Sequence, residues 1–339
     1  MMQITQFVGI DVSKATLDIC LVDHQGVAVH QHRIENTVKA IKIYLTQLLR
    51  KYQASFTDTV FCMEHTGIYT LPLLKWLYSQ QAHIWIESGT QIRKSLGAVR
   101  GKNDQVDSER IAQYAFTHIR KMKAWQAPRP LLQQIAAILS QRERLVNARK
   151  QMQTAAAEQV GFVDKAIIKS LKKRNDTVIK VLTSQINDAE KQLLALLKED
   201  EKLLGYYKII TSVDGIGMIT ALYILVTTNE FITISEAKKY ACYAGVVPFE
   251  HSSGTSIRTK NRVSHMANKT VKALLHMGAI ANIRMKGELR LYYDRKVQEG
   301  KNKMAVLNAI RNKLILRIFA CIQRMQPYQK NYSFHLVET

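Results

Sequence analysis

The stretch GIDVSK, residues 9–14, decides the fold, because it ends an apolar run with a carboxylate, Asp11. Glu64 ends a second apolar run in TVFCME, and Asp104 and Asp107 open a helical pattern in KNDQVDSERIA. An ionised carboxylate at the end of a buried strand must meet a cation, a donor or water, since desolvating it unpaired is costly. Two strand ends and one helix start together predict a two-metal phosphoryl-transfer site, with Mg²⁺ or Mn²⁺ as the suitable ions.

Each acid also has an ordinary structural interpretation. Asp11 could be a turn residue, Asp104 an N-cap, and Asp107 a first-turn acid favoured by the helix macrodipole. Glu64 is harder to explain in this way, since it follows a strand-like run and precedes a turn at Thr66-Gly67. The metal-site interpretation therefore depends on the four acids taken together.

The order of elements over residues 6–120 predicts a mixed α/β domain. Strand-like runs fall at Phe7 to Val12, Leu17 to Val22, Val27 to Ile34, Thr59 to Met63 and His83 to Glu87. Helical patterns fall at Val38 to Lys51, Tyr69 to Ser79 and Asp107 to Ile119. This is the element order of the ribonuclease H-like fold, in which the first strand, the fourth strand and the last helix meet at one edge. The four acids are expected to converge there.

A basic stretch, residues 91–103, lies between the last strand and the last helix of this domain. Beside an acidic metal site it predicts a mobile loop that contacts the nucleic-acid backbone; a solvated basic loop is the alternative. Its basic residues are Arg93, Lys94, Arg100 and Lys102.

The charge of the whole chain favours a polyanionic partner. Over 339 residues, Lys and Arg number 49 and Asp and Glu 27, a net charge of +22. Such a balance is typical of proteins that bind nucleic acid, because each neutralised phosphate releases condensed counterions. A basic surface without function is the alternative.

The sequence contains no run of about 18 apolar residues, so it predicts no contact with a membrane. The four cysteines, Cys20, Cys62, Cys242 and Cys321, are far apart and each has apolar neighbours. This spacing predicts reduced core cysteines in a cytoplasmic protein, not disulfides or zinc ligands.

From Leu131 the pattern is helical. Ile135, Ile138, Arg142, Leu145, Arg149 and Met152 share one stripe, and Leu182, Ile186, Ala189, Leu193 and Leu196 form a heptad seam. A coiled-coil hairpin is predicted, used either to bury its own helices or to join protomers as a dimer or tetramer. Near its tip, Lys172, Lys173 and Arg174 are available to nucleic acid. The predicted domains are 1–126, 127–202 and 203–339.

Two glycine-containing motifs mark the last domain. In SVDGIG, Gly215 and Gly217 lie between helical patterns as in a helix-hairpin-helix, where backbone N–H groups reach a phosphate; a plain tight turn is the alternative. In the stretch 248–265, hydroxyl residues surround Gly254 and three bases follow, which suits a nucleophilic serine with charge-stabilising partners. A solvated Ser/Gly loop is the commoner arrangement. The bases are Arg258, Lys260 and Arg262.

Five ordered motifs together resemble the DEDD-type insertion-sequence transposases, relatives of the Piv site-specific invertases. The motifs are GIDVSK, MEHTGIY, KNDQVDSERIA, SVDGIG and YAGVVPFEHSSGTSIRTKNRVSHMANK. The resemblance implies a RuvC-like N-terminal domain, a coiled-coil segment and a C-terminal transposase domain. By position it places the family's acids on Asp11, Glu64, Asp104 and Asp107 and its nucleophile on Ser253.

The resemblance further implies two Mg²⁺ per active site and a structured non-coding guide RNA that pairs with donor and target DNA. The chain departs from the family pattern at Thr259, where many members have a glycine, and at Met266-Ala267-Asn268, where many have a basic residue followed by glycine. Both departures bear on the contacts of the bases from Arg258 to Arg262. The resemblance also implies a bacterial protein associated with the nucleoid.

Three other functions fit parts of the pattern. A RuvC-like junction-resolving nuclease would use the same carboxylates with water as the nucleophile. Actin-like and sugar-kinase ATPases share a G-I-D motif but need small residues in the following turn, where this chain has Ser13-Lys14, and later glycine-rich motifs. A non-catalytic nucleic-acid scaffold would not need four converging acids.

Overall fold

A computed structural model describes residues 4–64, 66–95, 104–158, 161–249, 252–253, 257–258, 262–263 and 267–330. Within it the chain divides into two compact units, residues 1–127 and 128–339. Three of the predicted nucleic-acid-binding residues, Arg100, Lys102 and Lys260, lie outside the described residues.

Unit 1 is built on a five-stranded mixed sheet, which confirms the predicted α/β domain and is consistent with a ribonuclease H-like fold. Its strands are β1 (Gln6–Val12), β2 (Thr16–Val22), β3 (Ala28–Glu35), β4 (Thr59–Glu64) and β5 (His83–Glu87). They lie in the order β3-β2-β1-β4-β5. β1 pairs antiparallel with β2 and parallel with β4, and β4 pairs parallel with β5. The carboxyl ends of β1, β4 and β5 therefore share one edge.

The helices of unit 1 are α1 (Val38–Lys51), α2 (Leu71–Ser79), α3 (Gly89–Ser95) and α4 (Asp104–His118). Thr37 caps α1 by accepting a hydrogen bond from the Ala40 N–H. The stretch from residue 91 was predicted to be a loop, and this was wrong for its first part, since α3 runs to Ser95. Helix α3 begins next to the carboxyl end of β5. Arg93 and Lys94 therefore lie on a helix, and the backbone hydrogen bonds of this part of the chain are made within that helix.

The side chains of the sheet alternate between two cores. Val8, Ile10, Phe61 and Met63 face the core that also buries α1 and α2. Phe7, Cys62 and Trp85 face the other core, which α4 covers with Ile111, Ala112, Tyr114 and Ala115. Odd-numbered residues of β1, including Asp11, therefore share the α4 face of the sheet.

Close contact between α4 and β1 depends on Gly9. A Cβ at residue 9 would lie 2.2 Å from the Ser108 carbonyl oxygen and 2.3 Å from the Ala112 nitrogen. Only a residue without a Cβ lets the helix lie directly on the strand at this level. Gly9 therefore sets the distance between α4 and the end of β1.

Unit 2 is mostly helical. Its helices are α5 (Pro130–Glu158), α6 (Lys165–Lys198), α7 (Glu201–Thr211), α8 (Met218–Thr228), α9 (Ala237–Tyr243), α10 (Lys269–Arg284), α11 (Glu288–Gln298) and α12 (Lys303–Arg324). Four two-residue strands follow α9: β6 (Pro248–Phe249), β7 (Ser252–Ser253), β8 (Ile257–Arg258) and β9 (Arg262–Val263). Across the described part of the chain, no helix is both long and apolar enough to span a membrane. All four cysteines are free, and three of them are buried.

Helices α5 and α6 lie antiparallel against each other. Arg142 bonds Glu190 at 2.7 Å and Arg149 bonds Thr183 at 3.3 Å, so a shift of seven residues along α5 matches a shift of seven back along α6. Ile186, Ala189 and Leu193 of the predicted seam are buried in this chain. The seam thus packs the chain's own helices.

A half-buried ion cluster fixes the start of α5. Arg129 donates to Glu230 at 2.7 Å from both Nε and Nη2, and to Asp200 at 2.5 Å. Glu230 is 4% exposed, and it lies in a left-handed turn after α8. Asp200 also caps α7 by accepting from the Leu203 N–H. One guanidinium therefore joins α5, α7 and the end of α8.

We expect Gly9→Ala to destabilise unit 1 by about 3 kcal/mol, the upper range for overpacking, because both nearest atoms are backbone. All three tryptophans, Trp76, Trp85 and Trp125, lie in unit 1, so urea unfolding followed by tryptophan fluorescence measures its stability.

The matched control is Gly205→Ala in α7, where no atom lies within 4 Å of the added Cβ. This change should leave the tryptophan transition unchanged and add up to about 1 kcal/mol of helix propensity to unit 2. A Gly9→Ala variant as stable as the parent would contradict the close approach of α4 to β1.

Candidate active site and nucleic-acid surfaces

Four carboxylates lie at one level across the α4 face of the sheet. Asp11 pairs with Asp18 of β2, and Glu64 pairs with Glu87 of β5. Because Ile10 pairs with Met63, the next residues of these parallel strands, Asp11 and Glu64, reach the same level. The sheet therefore brings Asp11 and Glu64 together between two outer acids.

Two turns at this edge are tied together by one side chain. Asn36 donates from Nδ2 to the Ser13 carbonyl at 2.9 Å and to the Tyr69 carbonyl at 3.0 Å. Ser13 follows the end of β1, and Tyr69 follows the end of β4 in a 3-10 turn, Gly67–Thr70. Asn36 thus holds together the two turns that follow Asp11 and Glu64 in the chain.

Asp107 approaches Glu64 from α4. Burial raises the pKa of the Glu64 carboxyl above its usual range; Arg93 opposes this increase in pKa and Asp107 adds to it. The oxygen Oδ1 of Asp107 accepts a hydrogen bond from Arg110 at 2.9 Å, one turn along the helix. Like charges at Glu64 and Asp107 are therefore balanced by two guanidinium groups, a balance that a bound cation would also provide.

Gly89 makes room for the Glu64 carboxylate. A Cβ at residue 89 would lie 2.1 Å from Glu64 Oε2. On the same turn of α3, Arg93 donates from Nε to the Gly89 carbonyl at 3.1 Å. The start of α3 therefore acts as one wall of the acidic site, and Arg93, predicted to bind nucleic acid, also supplies positive charge near Glu64.

The two outer acids each have a protein partner. Asp18 is 3% exposed and accepts from Arg33 Nε at 2.9 and 3.1 Å. Glu87 accepts from the Tyr114 hydroxyl at 3.2 Å and from the Ser88 N–H at 2.9 Å. Burial, followed by the charge of Glu87, raises the pKa of Tyr114 to about 12, so the hydroxyl stays a donor.

Sequence reasoning missed Gly89, Asp18 and Glu87. Glu87 ends β5 in HIWIE just as Glu64 ends β4, and this repeated pattern was the signal available for it. Gly89 had no comparable signal, because its function depends on a side chain from another strand.

Asp104 begins α4, three residues before Asp107, which places both on the start of one helix. Among the side chains that the structure describes, which exclude that of Asp104, no group of three or more His, Cys, Asp or Glu residues is placed to hold a metal ion. The central donors are nonetheless carboxylate oxygens, the ligand type that hard divalent cations take. The chemistry of Asp11, Glu64 and Asp107 therefore fits Mg²⁺ or Mn²⁺.

The predicted nucleophile lies in unit 2, on a segment whose two ends are tied together. Ser253 lies in β7, where it pairs with Ile257 of β8. Asn268 donates from its backbone N–H to the Tyr243 carbonyl at 2.9 Å and from Nδ2 to the Tyr243 hydroxyl at 2.8 Å. Asn308 of α12 donates to the Val246 carbonyl at 2.6 Å. We call this set of contacts the loop stem.

The loop stem explains one departure from the family pattern. Asn268 ends the stretch 266–268 that departs from the family pattern, and its Oδ1 accepts from the Val271 N–H at 2.9 Å as the N-cap of α10. One asparagine therefore both starts α10 and closes the loop. Arg258 and Arg262, predicted to bind nucleic acid, lie in β8 and β9 of the same segment.

The glycines of SVDGIG differ from each other. Gly215 has a φ of +80°, and a Cβ there would lie 2.3 Å from Asn282 Nδ2 and 2.6 Å from the Gly278 carbonyl. Gly217 is the N-cap of α8, and no atom lies within 4 Å of its added Cβ. The arrangement favours a packing role against α10 for Gly215 and leaves Gly217 open to a phosphate.

The basic residues predicted on the helical hairpin are exposed. Lys172, Lys173 and Arg174 lie on one turn of α6, near the end that follows residue 164. The structure brings them no acidic side-chain partner among the described residues. Their contact with nucleic acid stays a prediction.

Two family models match the chain. Residues 8–163 match a model described as "Transposase", for the DEDD transposases of IS110, and residues 207–294 match the "Transposase IS116/IS110/IS902 family". The matched regions contain the four acids and Ser253 respectively.

Several curated proteins are similar to this chain, two of them over most of their length. A "Pilin gene-inverting protein" of Moraxella lacunata is 26% identical over 96% of this chain and 98% of its own. The "Transposase for insertion sequence element IS1111A" of Coxiella burnetii is 22% identical over 96% of this chain and 91% of its own. An IS110 protein of Streptomyces coelicolor is 30% identical over 44% of this chain and 37% of its own. With both family models, these relatives show that the chain belongs to the IS110/IS116 transposases and is an enzyme that acts on DNA.

Proposed function

We propose that this transposase cuts and rejoins DNA strands by attack of the Ser253 hydroxyl on a phosphodiester, assisted by divalent metal ions at Asp11, Glu64, Asp104 and Asp107. The observation that carries the proposal is the convergence of Asp11, Glu64 and Asp107 at one edge of the sheet of unit 1. That domain is of the RuvC-like type, and unit 2 comprises the coiled-coil segment and the transposase domain.

The acidic site would hold its cation through carboxylates from three elements. Asp11 and Glu64 come from strand ends whose level is fixed by pairing, and Asp107 comes from a helix held against β1 through Gly9. Divalent ions, typical of DEDD transposases, would polarise the scissile phosphate. Arg93 and Arg110 compensate the carboxylates when the ions are absent, which keeps the site formed.

The proposed chemistry exchanges one phosphodiester for another and so keeps the energy of the broken bond in a covalent link to the serine. A bond forms between Ser253 Oγ and phosphorus, and the bond from phosphorus to one sugar oxygen breaks; the serine proton leaves to a base, and the sugar oxygen takes up a proton. The phosphoserine link is then attacked by a sugar hydroxyl in the reverse step, so no ATP is required. The chemistry requires Ser253 at an acidic site of the same chain or of another protomer.

Nucleic-acid partners follow from the charge and the family. The net charge of +22 suits binding of donor DNA, target DNA and a structured guide RNA at once. Open candidate contacts are Gly217, Lys94 and the exposed turn Lys172 to Arg174. The assembly of a dimer or tetramer would use an apolar groove of about 390 Å³ on α5 and α6. Ala137, Ile138 and Leu196 line this groove.

We expect Asp11→Asn and Glu64→Gln to abolish Mg²⁺-dependent strand cleavage while DNA binding changes little. Each substitution removes one ligand charge at the sheet edge and leaves the basic surface intact. Cleavage of a labelled element end and filter binding of the same DNA measure the two properties separately.

The control is Glu35→Gln, which also removes an acid at a strand end but on the exposed edge strand β3. This variant should cleave as the parent does. Cleavage at the parental rate by the Asp11 or Glu64 variant would refute the metal-site assignment.

We expect Gly89→Ala to reduce cleavage by at least about tenfold, because the added methyl group displaces the Glu64 carboxylate by roughly 1 Å or more from its position. The requirement for Mg²⁺ should rise at the same time, as a displaced ligand binds the ion less well. A Mg²⁺ titration of the cleavage rate tests this, with circular dichroism as the check on folding and Gly205→Ala as the control. An unchanged Mg²⁺ dependence would show that Glu64 is not held by this contact.

We expect incubation with a cleavable DNA to trap a protein–DNA adduct that survives denaturation, and Ser253→Ala to eliminate it. Only one hydroxyl can lie in line with the scissile bond at roughly 3 Å, so Ser252→Ala and Ser256→Ala should retain the adduct. Mass spectrometry of the digested adduct should find the nucleotide on the Ser253 peptide. Cleavage without any adduct would instead favour a nuclease that uses water.

A further inference from the structure

Arg311 of α12 is a buried cation without a carboxylate partner among the residues described. The side chain is 6% exposed. Nη2 donates to His276 Nδ1 at 2.7 Å, and Nη1 donates to Asn308 Oδ1 at 3.3 Å. Its Nε is buried and has no hydrogen-bond partner within the described part of the chain. Burial lowers the pKa of Arg311, in line with a charge that lacks compensation.

The comparison with Arg129 shows how unusual this is. Arg129 donates to two carboxylates, and its charge is neutralised within unit 2. Arg311 is more deeply buried, and the acceptors that it reaches among the described residues, Asn308 and His276, are neutral. Since burying an unpaired charge costs several kcal/mol, a purely structural Arg311 would weaken the fold. An anionic ligand would remove this cost.

Arg311 also determines which nitrogen of His276 carries the proton. A guanidinium has donors only, so Nδ1 of His276 must accept. Burial and the charge of Arg311 lower the pKa of His276, which keeps the ring neutral at physiological pH. A neutral ring that accepts at Nδ1 has its proton on Nε2. His276 is half-buried, and no described residue bonds Nε2, so the ring offers one hydrogen-bond donor.

These groups lie beside the loop stem. Asn308, one turn before Arg311, holds the Val246 carbonyl at 2.6 Å, seven residues before Ser253. Lys272 lies one turn before His276 on α10 and is half-buried. A lysine, an Nε2–H donor and a buried guanidinium thus come from two helices to the place where the Ser253 segment leaves the helical core.

We propose that His276, Lys272 and Arg311 form a binding site for a tetrahedral phosphate oxyanion at the base of the Ser253 segment. His276 Nε2–H and Lys272 contact the oxygens, and Arg311 positions the imidazole and supplies the charge behind it. The source of the phosphate is a nucleic-acid backbone. The site uses none of the acidic residues of unit 1 and holds a phosphate whether or not Ser253 reacts.

The test is the thermal unfolding of the full chain in phosphate, without DNA or metal. The Tm of the parent should rise with the logarithm of the inorganic phosphate concentration, at constant ionic strength set with chloride. Arg311→Met and His276→Gln should lose this rise. Arg284→Met should retain it, because Arg284 is an exposed arginine at the end of α10.

Arg311→Met separates ligand binding from folding. In phosphate-free buffer its Tm should equal or exceed that of the parent, because the change removes an uncompensated buried charge. A lower Tm would show a structural partner for the guanidinium and overturn the proposal. So would a phosphate response in Arg311→Met equal to that of the parent, or no response in the parent.

A second arm identifies the source of the phosphate. Oligothymidylate without terminal phosphates should raise the Tm of the parent more than that of Arg311→Met if the site takes a backbone phosphodiester. A response to inorganic phosphate alone would show a free-anion site and overturn the backbone assignment. Because no strand is cut, phosphate binding can fail while the Ser253 adduct forms, and the reverse.

Discussion

The contact between α4 and β1 is the constraint on which the acidic site depends. Asp11 and Glu64 lie on strands whose level is set by backbone pairing. Asp104 and Asp107 come from α4, a helix that could slide along the sheet or move away from it. The absence of a Cβ at Gly9 lets the backbone of Ser108 and Ala112 lie against the strand, so the helix is held by shape rather than by charge. Carboxylates that repel one another are in this way kept close by packing elsewhere.

The charged groups of this protein differ in whether an opposite charge of the same chain neutralises them. In unit 2, Arg129 is surrounded by carboxylates and joins three elements, which is a structural use of a guanidinium. In unit 1, Asp18 is likewise neutralised by Arg33. Arg311 has only neutral partners among the described residues, and burial raises the pKa of Glu64 although Arg93 opposes the increase. At both groups the structure favours a ligand.

The sequence predicted the elements of unit 1 well because period-2 and period-3.6 patterns are local. Every strand of the sheet was predicted to within about two residues, and Asp11 and Glu64 were placed at strand ends by the same patterns. Helix α3 was missed, since Ile92 is the one apolar side chain among its seven residues, and a single apolar residue gives no periodicity. Gly89 and the pair of Arg311 and His276 depend on residues distant in the chain, and no periodicity encodes such contacts. The heptad seam was predicted from spacing, but spacing alone does not say whether its partner belongs to the same chain.

The loop stem has an evolutionary consequence. Its hydrogen bonds from Asn268 and Asn308 close the chain between Tyr243 and α10, and Ala244 and Val246 inside the stem are buried in the helical core. For a closed loop, doubling the length costs only about 0.6 kcal/mol. A change in the number of residues between Phe249 and Asn268 is therefore cheap for folding of the helical core. The same scaffold can present segments of different length, so the part of the chain that carries Ser253 can lengthen or shorten in evolution while the core stays the same.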